Sequence, residues 1–137
     1  MMNQTRRALS QYQEVGIESS ILEADPHAVI QQLMQGVIEC LSTAKGAMQR
    51  NDVALKAKRI THAIRIIDGL RAHLDHEKGG EIAENLDALY DYMSRRLVDA
   101  NAKNDLVALD EAFGLMMEIK SGWDAIDPDR NKEAVAS

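Results

Sequence analysis

The chain has 137 residues, a formal net charge of −6, 45% hydrophobic residues and a single cysteine. That length suits one domain, able to bury roughly two-thirds of its unfolded surface. The acidic balance excludes a nucleic-acid partner, which needs basic clusters. No apolar run approaches the ~20 residues of a membrane span, so no membrane insertion is expected.

The first 24 residues differ from the rest of the chain. Arg6 and Arg7 lead into Ser10, Gln11 and Gln13, where a signal peptide would need an apolar stretch. Leu9, Tyr12, Val15 and Ile17 give a weak periodicity that Gly16 interrupts. A mobile N-terminal arm with a few apolar anchors is expected over residues 1–24. Cys40 has no intramolecular disulfide partner, which points to a reducing compartment, the cytoplasm.

The organised part lies between the two prolines, Pro26 and Pro128. Asp25-Pro26 reads as a helix start, a capping carboxylate followed by proline at the first helical position. Ile30, Leu33, Val37, Leu41, Ala44 and Met48 then recur at steps of three and four, the mark of an amphipathic helix. Asn51-Asp52 interrupts it. Val53, Ala57, Ile60, Ile64, Ile67 and Leu74 form a second stripe, which Gly79-Gly80 is expected to end through a positive φ. The third stripe is Ile82, Leu86, Leu89, Met93, Leu97 and Ala100, with Glu81 and Glu84 in a first turn where the helix dipole favours acid. Asn104-Asp105 is the next break and cap. Leu106, Leu109, Phe113, Met116, Trp123 and Ile126 make the fourth stripe. A disordered polar tail is expected over residues 128–137.

Each segment should run roughly 22–25 residues, about 33–37 Å of helix. Short breaks force sequential neighbours to lie antiparallel. The fold class predicted is all-α: an antiparallel up-down-up-down four-helix bundle over residues 25–127. Residues 52–76 carry five Lys/Arg and three Asp/Glu, while residues 77–127 carry twelve Asp/Glu and five Lys/Arg. Adjacent antiparallel helices of that kind attract each other weakly.

The helices carry more apolar residues than one stripe each requires. Ala63, Ile66 and Leu70 flank the second stripe. Tyr92 points away from Leu89 and Met93, while Tyr90 should face inward. Ala112, Leu115, Met117 and Ile119 broaden the fourth. Such an excess either tiles a full core or marks a binding surface. Five glycines inside the helical segments and seven methionines fit both a close-packed core and an adaptable groove.

Catalytic chemistry is looked for and not found. His73 and His76 lie one turn apart near a helix end, but a metal site needs three or four converging ligands, and no Glu-x-x-His pair occurs. No phosphate loop, cysteine pair or glycine-flanked nucleophile is present. Neither cofactor nor metal is expected. The alternative reading is a histidine phosphotransfer module, in which "HAIRIIDG" would present His62; Ile66 one turn on would crowd that ring.

The stretch "GGEIAENLDALYDYMSRRLVDANAKND", Gly79–Asp105, resembles the third helix of the flagellin-export chaperone family, the FliS type. "YQEV" at Tyr12–Val15, "DPHAVIQQLMQG" at Asp25–Gly36, "AIRIIDGLRAHLD" at Ala63–Asp75 and Trp123 support the likeness, which covers about residues 8–126. One departure is "LMQG", where Met34 and Gln35 stand in place of the family's usual aromatic and acidic pair. The resemblance implies a non-enzymatic protein that binds the C-terminal segment of flagellin in the cytoplasm. It would prevent early polymerisation and aid delivery to the flagellar export gate. It also implies that a disordered client segment folds along the outside of the bundle, at an ordering cost of roughly 2–5 kcal/mol. Client contacts are expected at Ile66, Leu70, Tyr92, Met93, Leu115 and Ile119, with Tyr12 and Val15 covering part of the groove when no client is bound. Whether the free protein is a monomer or a homodimer is left open by the sequence.

Overall fold

The structure, a computed structural model, describes residues 25–126. The expected arm, with Tyr12 and Val15, and the expected tail lie outside the described residues. Within them are four helices and no strand: α1 Pro26–Gln49, α2 Val53–Ala72, α3 His76–Lys103 and α4 Leu106–Ala125. Each packs against its two neighbours in a ring, α1 on α2, α2 on α3, α3 on α4 and α4 back on α1. This is the antiparallel four-helix bundle that the short breaks require.

All four helices start in the same way. Asp25, Asp52, Asp75 and Asp105 each accept a hydrogen bond from the backbone N–H three residues on, at 3.0–3.1 Å. Each cap satisfies one of the N–H groups that a helix leaves orphaned, typically worth about 1 kcal/mol. Asn51 and Asn104 turn the chain with φ of 59° and 52°, a left-handed conformation that asparagine tolerates.

The junction of α2 and α3 departs from the sequence reading. Gly79-Gly80 does not end the second helix. That helix stops at Ala72, residues 73–75 form the break, and Asp75 caps a new helix that starts at His76. Gly80 then kinks α3, with φ 50° and ψ −123°. An L side chain has no comfortable place there, so the glycine is required for the kink rather than for the turn.

The core runs through the middle of the bundle. Leu33, Val37 and Leu41 of α1, Ile60 and Ile67 of α2, Met93 and Leu97 of α3, and Leu109 and Met116 of α4 are fully buried. Burying each such side chain contributes about 1.5–3 kcal/mol. Tyr90 faces inward and Tyr92 outward, as the spacing predicts. Val53 and Ile82, each placed at the head of a core stripe, are instead exposed, because both lie at helix ends beyond the reach of the opposite helices.

Candidate partner-binding groove

Where α2 stops and α3 restarts, the bundle does not close. A groove of about 530 Å³ opens among all four helices. Ile30 and Met34 of α1 meet Leu70 and Leu74 of α2 there, together with Ile82 and Leu86 of α3 and Ile119 and Trp123 of α4. Ile126, the C-cap of α4, completes the rim. Charge is confined to His73, Asp75 and Glu118. Two rim residues carry large unpaired apolar area: Ile82 is 71% exposed and Ile126 53%.

The walls are held from outside. His27 stacks on Trp123 with ring centroids 4.7 Å apart. Its Nε2 lies 2.9 Å from the Trp123 carbonyl, and Trp123 Nε1 donates to the His27 carbonyl at 3.1 Å. Asp124 accepts from Lys120 at 2.7 Å and from Gln31 at 2.8 Å. Those two bonds hold the Asp124 carboxyl below the usual carboxylate range, Lys120 contributing more. Across the groove, Arg71 bridges Asp87 at 2.9 Å and Asp91 at 3.5 Å, tying α2 to α3. At the floor, burial pushes the Tyr90 hydroxyl up to about 12. Met34, standing where a ring was expected, is buried and lines the groove, so thioether packing fills that space.

The eight expected contact residues fall into separate places. Leu70 and Ile119 line the groove. Leu115 is half-buried against the core. Ile66 and Leu70 are core residues with an edge toward a cavity, and Met93 is 0% exposed and lines none of the cavities described. Tyr92 is 38% exposed, but its hydroxyl donates to Glu111 and Arg95 lies over its ring at 5.9 Å. That bond to the carboxylate raises the Tyr92 hydroxyl and makes the residue a clip between α3 and α4. Tyr12 and Val15 are outside the described residues. Ile66 and Leu70 of the second apolar face read on α2 are buried in the bundle, while exposed apolar residues stand both at the groove rim, Ile82 and Ile126, and along the sides of α3 and α4, Tyr92, Val98 and Met117.

Ile82, Leu86 and Ile126 are not among the expected contacts. For Ile82 and Ile126 the signal is position: a large aliphatic residue two places after Gly-Gly, and another two places before Pro128, stand near helix ends where little of the bundle covers them. His62, central to the phosphotransfer alternative, is half-buried between α1 and α2 with Nδ1 3.6 Å from Cys40 Sγ, and Ile66 is buried one turn on. Among the described residues no group of three or more His, Cys, Asp or Glu could hold a metal ion. No helix among them is long and apolar enough to cross a membrane.

The described residues thus form an all-α bundle with an apolar groove beside a hydrogen-bonded wall. Comparison with known proteins gives the particular kind. The family model for flagellar protein FliS matches residues 8–130. The flagellar secretion chaperone FliSB of Pseudomonas aeruginosa is 53% identical over 120 residues, covering 88% of this chain and 95% of that protein. The flagellar secretion chaperones FliS of Vibrio cholerae and Salmonella typhimurium are each 44% identical, covering 90% of this chain and 91% and 93% of theirs. The chain belongs to the FliS family, a family of chaperones and not of enzymes.

Proposed function

We propose that this protein is a cytoplasmic chaperone for flagellin. It binds the C-terminal segment of the newly made subunit, keeps it from polymerising early, and passes it to the flagellar export gate. The observation that carries the reading is the apolar groove of about 530 Å³ with Ile82 and Ile126 uncovered at its rim. A monomeric protein rarely leaves such contiguous apolar surface without a use. A client segment would lay the apolar face of a nascent helix into it, anchored against Leu70, Ile119 and Trp123. Leu115 and Tyr92 border the same client path along α4 and α3, and Ile66 and Met93 support it from the core. Tyr12 and Val15 are proposed to cover the groove when it is empty. The names of the relatives, flagellar secretion chaperones, support the same client class.

Calorimetry with a peptide of the cognate flagellin C-terminal segment tests this. Binding is expected with a negative heat-capacity change, the mark of buried apolar surface. Ile82→Asp and Ile126→Asp should weaken it at least about tenfold with an unchanged melting temperature. No binding by the unaltered protein at high micromolar peptide would remove the chaperone reading.

A further inference from the structure

Three of the four helix seams are clipped on the outside by charge. Lys45 pairs with Asp110 across α1–α4 at 3.1 Å, Arg71 with Asp87 across α2–α3 at 2.9 Å, and Arg96 with Glu111 across α3–α4 at 3.7 Å. Among the described residues the α1–α2 seam has no ion pair. A cleft of about 480 Å³ opens there, floored by Gly36, Cys40 and Ile66 and walled by Gln35, Glu39, Arg59 and His62. Gly36 allows the close approach, since a Cβ at that position would lie 3.3 Å from Ile66 Cδ1.

The cleft holds unused hydrogen-bonding capacity. Arg59 Nε and His62 Nε2 are buried without a hydrogen-bond partner. Such groups are costly to leave unmade. Glu39 on the opposite wall accepts from Gln35 at 3.4 Å, and no described carboxylate forms an ion pair with Arg59. Burial raises the Cys40 thiol, and the charge of the Arg59 guanidinium and its hydrogen bond to that side chain oppose the rise.

On the α2 side of the cleft positive charge prevails, with Glu39 of α1 facing it. Within Val53–Ala72 stand Lys56, Lys58, Arg59, Arg65 and Arg71 against Asp68 alone, in a chain of net charge −6. Arg71 is paired, and Lys56 is buried on Asn101 and Asn104. Lys58, Arg59 and Arg65 have no ion pair among the described residues. The cleft and the groove share no lining residue but lie along one face of α2. Arg59, His62, Ile66, Leu70 and His73 recur at steps of three and four on one face of α2, Ile66 lining the cleft and Leu70 the groove. Arg59 and Leu70 are about 16 Å apart along the helix axis.

We propose that the α1–α2 cleft is a second contact site for the chain that occupies the groove, with Arg59 receiving a carboxylate of that chain. This rests on the groove reading above. A helical partner segment places that carboxylate about 11 residues, three turns, from its apolar anchors. The apolar groove supplies burial, and the cleft fixes register and direction.

Calorimetry with the flagellin C-terminal peptide at low and at high salt tests it, using Arg59→Gln, the surface pair Lys58→Gln/Arg65→Gln, and Ile82→Asp in the groove. Arg59→Gln should weaken binding about tenfold and flatten its salt dependence, with an unchanged melting temperature. The surface pair should do the same more weakly and leave the core untouched. If both charge variants bind like the unaltered protein while Ile82→Asp does not, the cleft inference falls and the groove reading stands. If Ile82→Asp also binds normally, or the unaltered protein does not bind, the groove reading falls and takes this inference with it.

Discussion

The two ends of this bundle are built from the same parts and finish differently. At one end, the α1–α2 and α3–α4 turns lie side by side, and Lys56, only 6% exposed, reaches from α2 to the Asn101 carbonyl at 3.0 Å and the Asn104 side chain at 3.4 Å. The remaining space is about 110 Å³. At the other end, a comparable Asp-capped break between α2 and α3 leaves about 530 Å³, lined mostly by apolar side chains. Val53 and Val107 are exposed at the closed end too, but singly and over no large cavity, as is ordinary for a soluble surface. Capping a helix and sealing a bundle are thus separate tasks. The closed end is sealed by a cation lying on the last carbonyls of α3, where the helix dipole favours it. At the open end His27 holds the Trp123 carbonyl in the last turn of α4, but the space beside α2 and α3 stays open, and Ile82, just past the kink at Gly80, stands at the rim.

The contrast says that the open end is soft only at its rim, and the largest expected effect tests that. Leu70 borders the groove but is buried, so Leu70→Ala should cost about 2–5 kcal/mol, read as a lower urea midpoint with an unchanged slope. Ile82→Ala, on the same groove, should stay within about 0.5 kcal/mol. A mild Leu70→Ala would mean that the whole end is loosely packed and the groove is not a shaped site. The closed end gives the next effect. Lys56→Ala strips the Asn101 carbonyl and the Asn104 side chain of their donor, and should cost about 1–3 kcal/mol in the same measurement without changing peptide affinity. A loss of affinity there would mean that the two ends are coupled, and the comparison would have to be abandoned.

Much of this is legible in the chain. The 3.6-residue stripes, Asp25-Pro26 and the two Asn-Asp breaks give three helix starts and the topology, because capping and periodicity are local. The fourth start is hidden although Asp75 carries the same signal as the other three caps, because Gly79-Gly80 is a stronger breaker in isolation. In the structure Asp75 captures the Lys78 N–H at 3.0 Å, and the glycines are left to bend a helix already begun. The sequence shows an apolar excess, but not where along the helices a cavity opens. Periodicity distinguishes faces of a helix, not positions along it. Whether Ile66 or Ile82 is covered depends on how far the opposite helices extend, which only tertiary packing decides. Tyr92 shows the same limit: its hydroxyl donates to Glu111 on α4, and no spacing rule within α3 reveals that.

The smallest effect probes the open end through His73, whose ordinary pKa lies nearest neutrality among the groove's desolvated groups. His73 is exposed as a whole residue, yet the groove wall desolvates its ring and lowers its pKa below the ordinary 6.5. The sign depends on which state takes the proton first. As pH falls through 6.5 the unfolded chain binds a proton that the folded chain still refuses, so folding stability drops until the folded value is reached and is then constant. Asp87 and Asp124 cannot mimic this, because their carboxyls are lowered by hydrogen bonds from Arg71 and from Lys120, and the stability they lend is lost only below the ordinary carboxylate range. The melting temperature should therefore fall modestly between about pH 7.5 and 5.5, and His73→Gln should remove part of that fall. A client lying in the groove would desolvate His73 further, so peptide affinity should decline over the same interval in the unaltered protein and less so in His73→Gln. Should the melting temperature respond while affinity does not, the bound segment leaves the His73 side of the groove open, and the contact must lie toward Ile119 and Trp123.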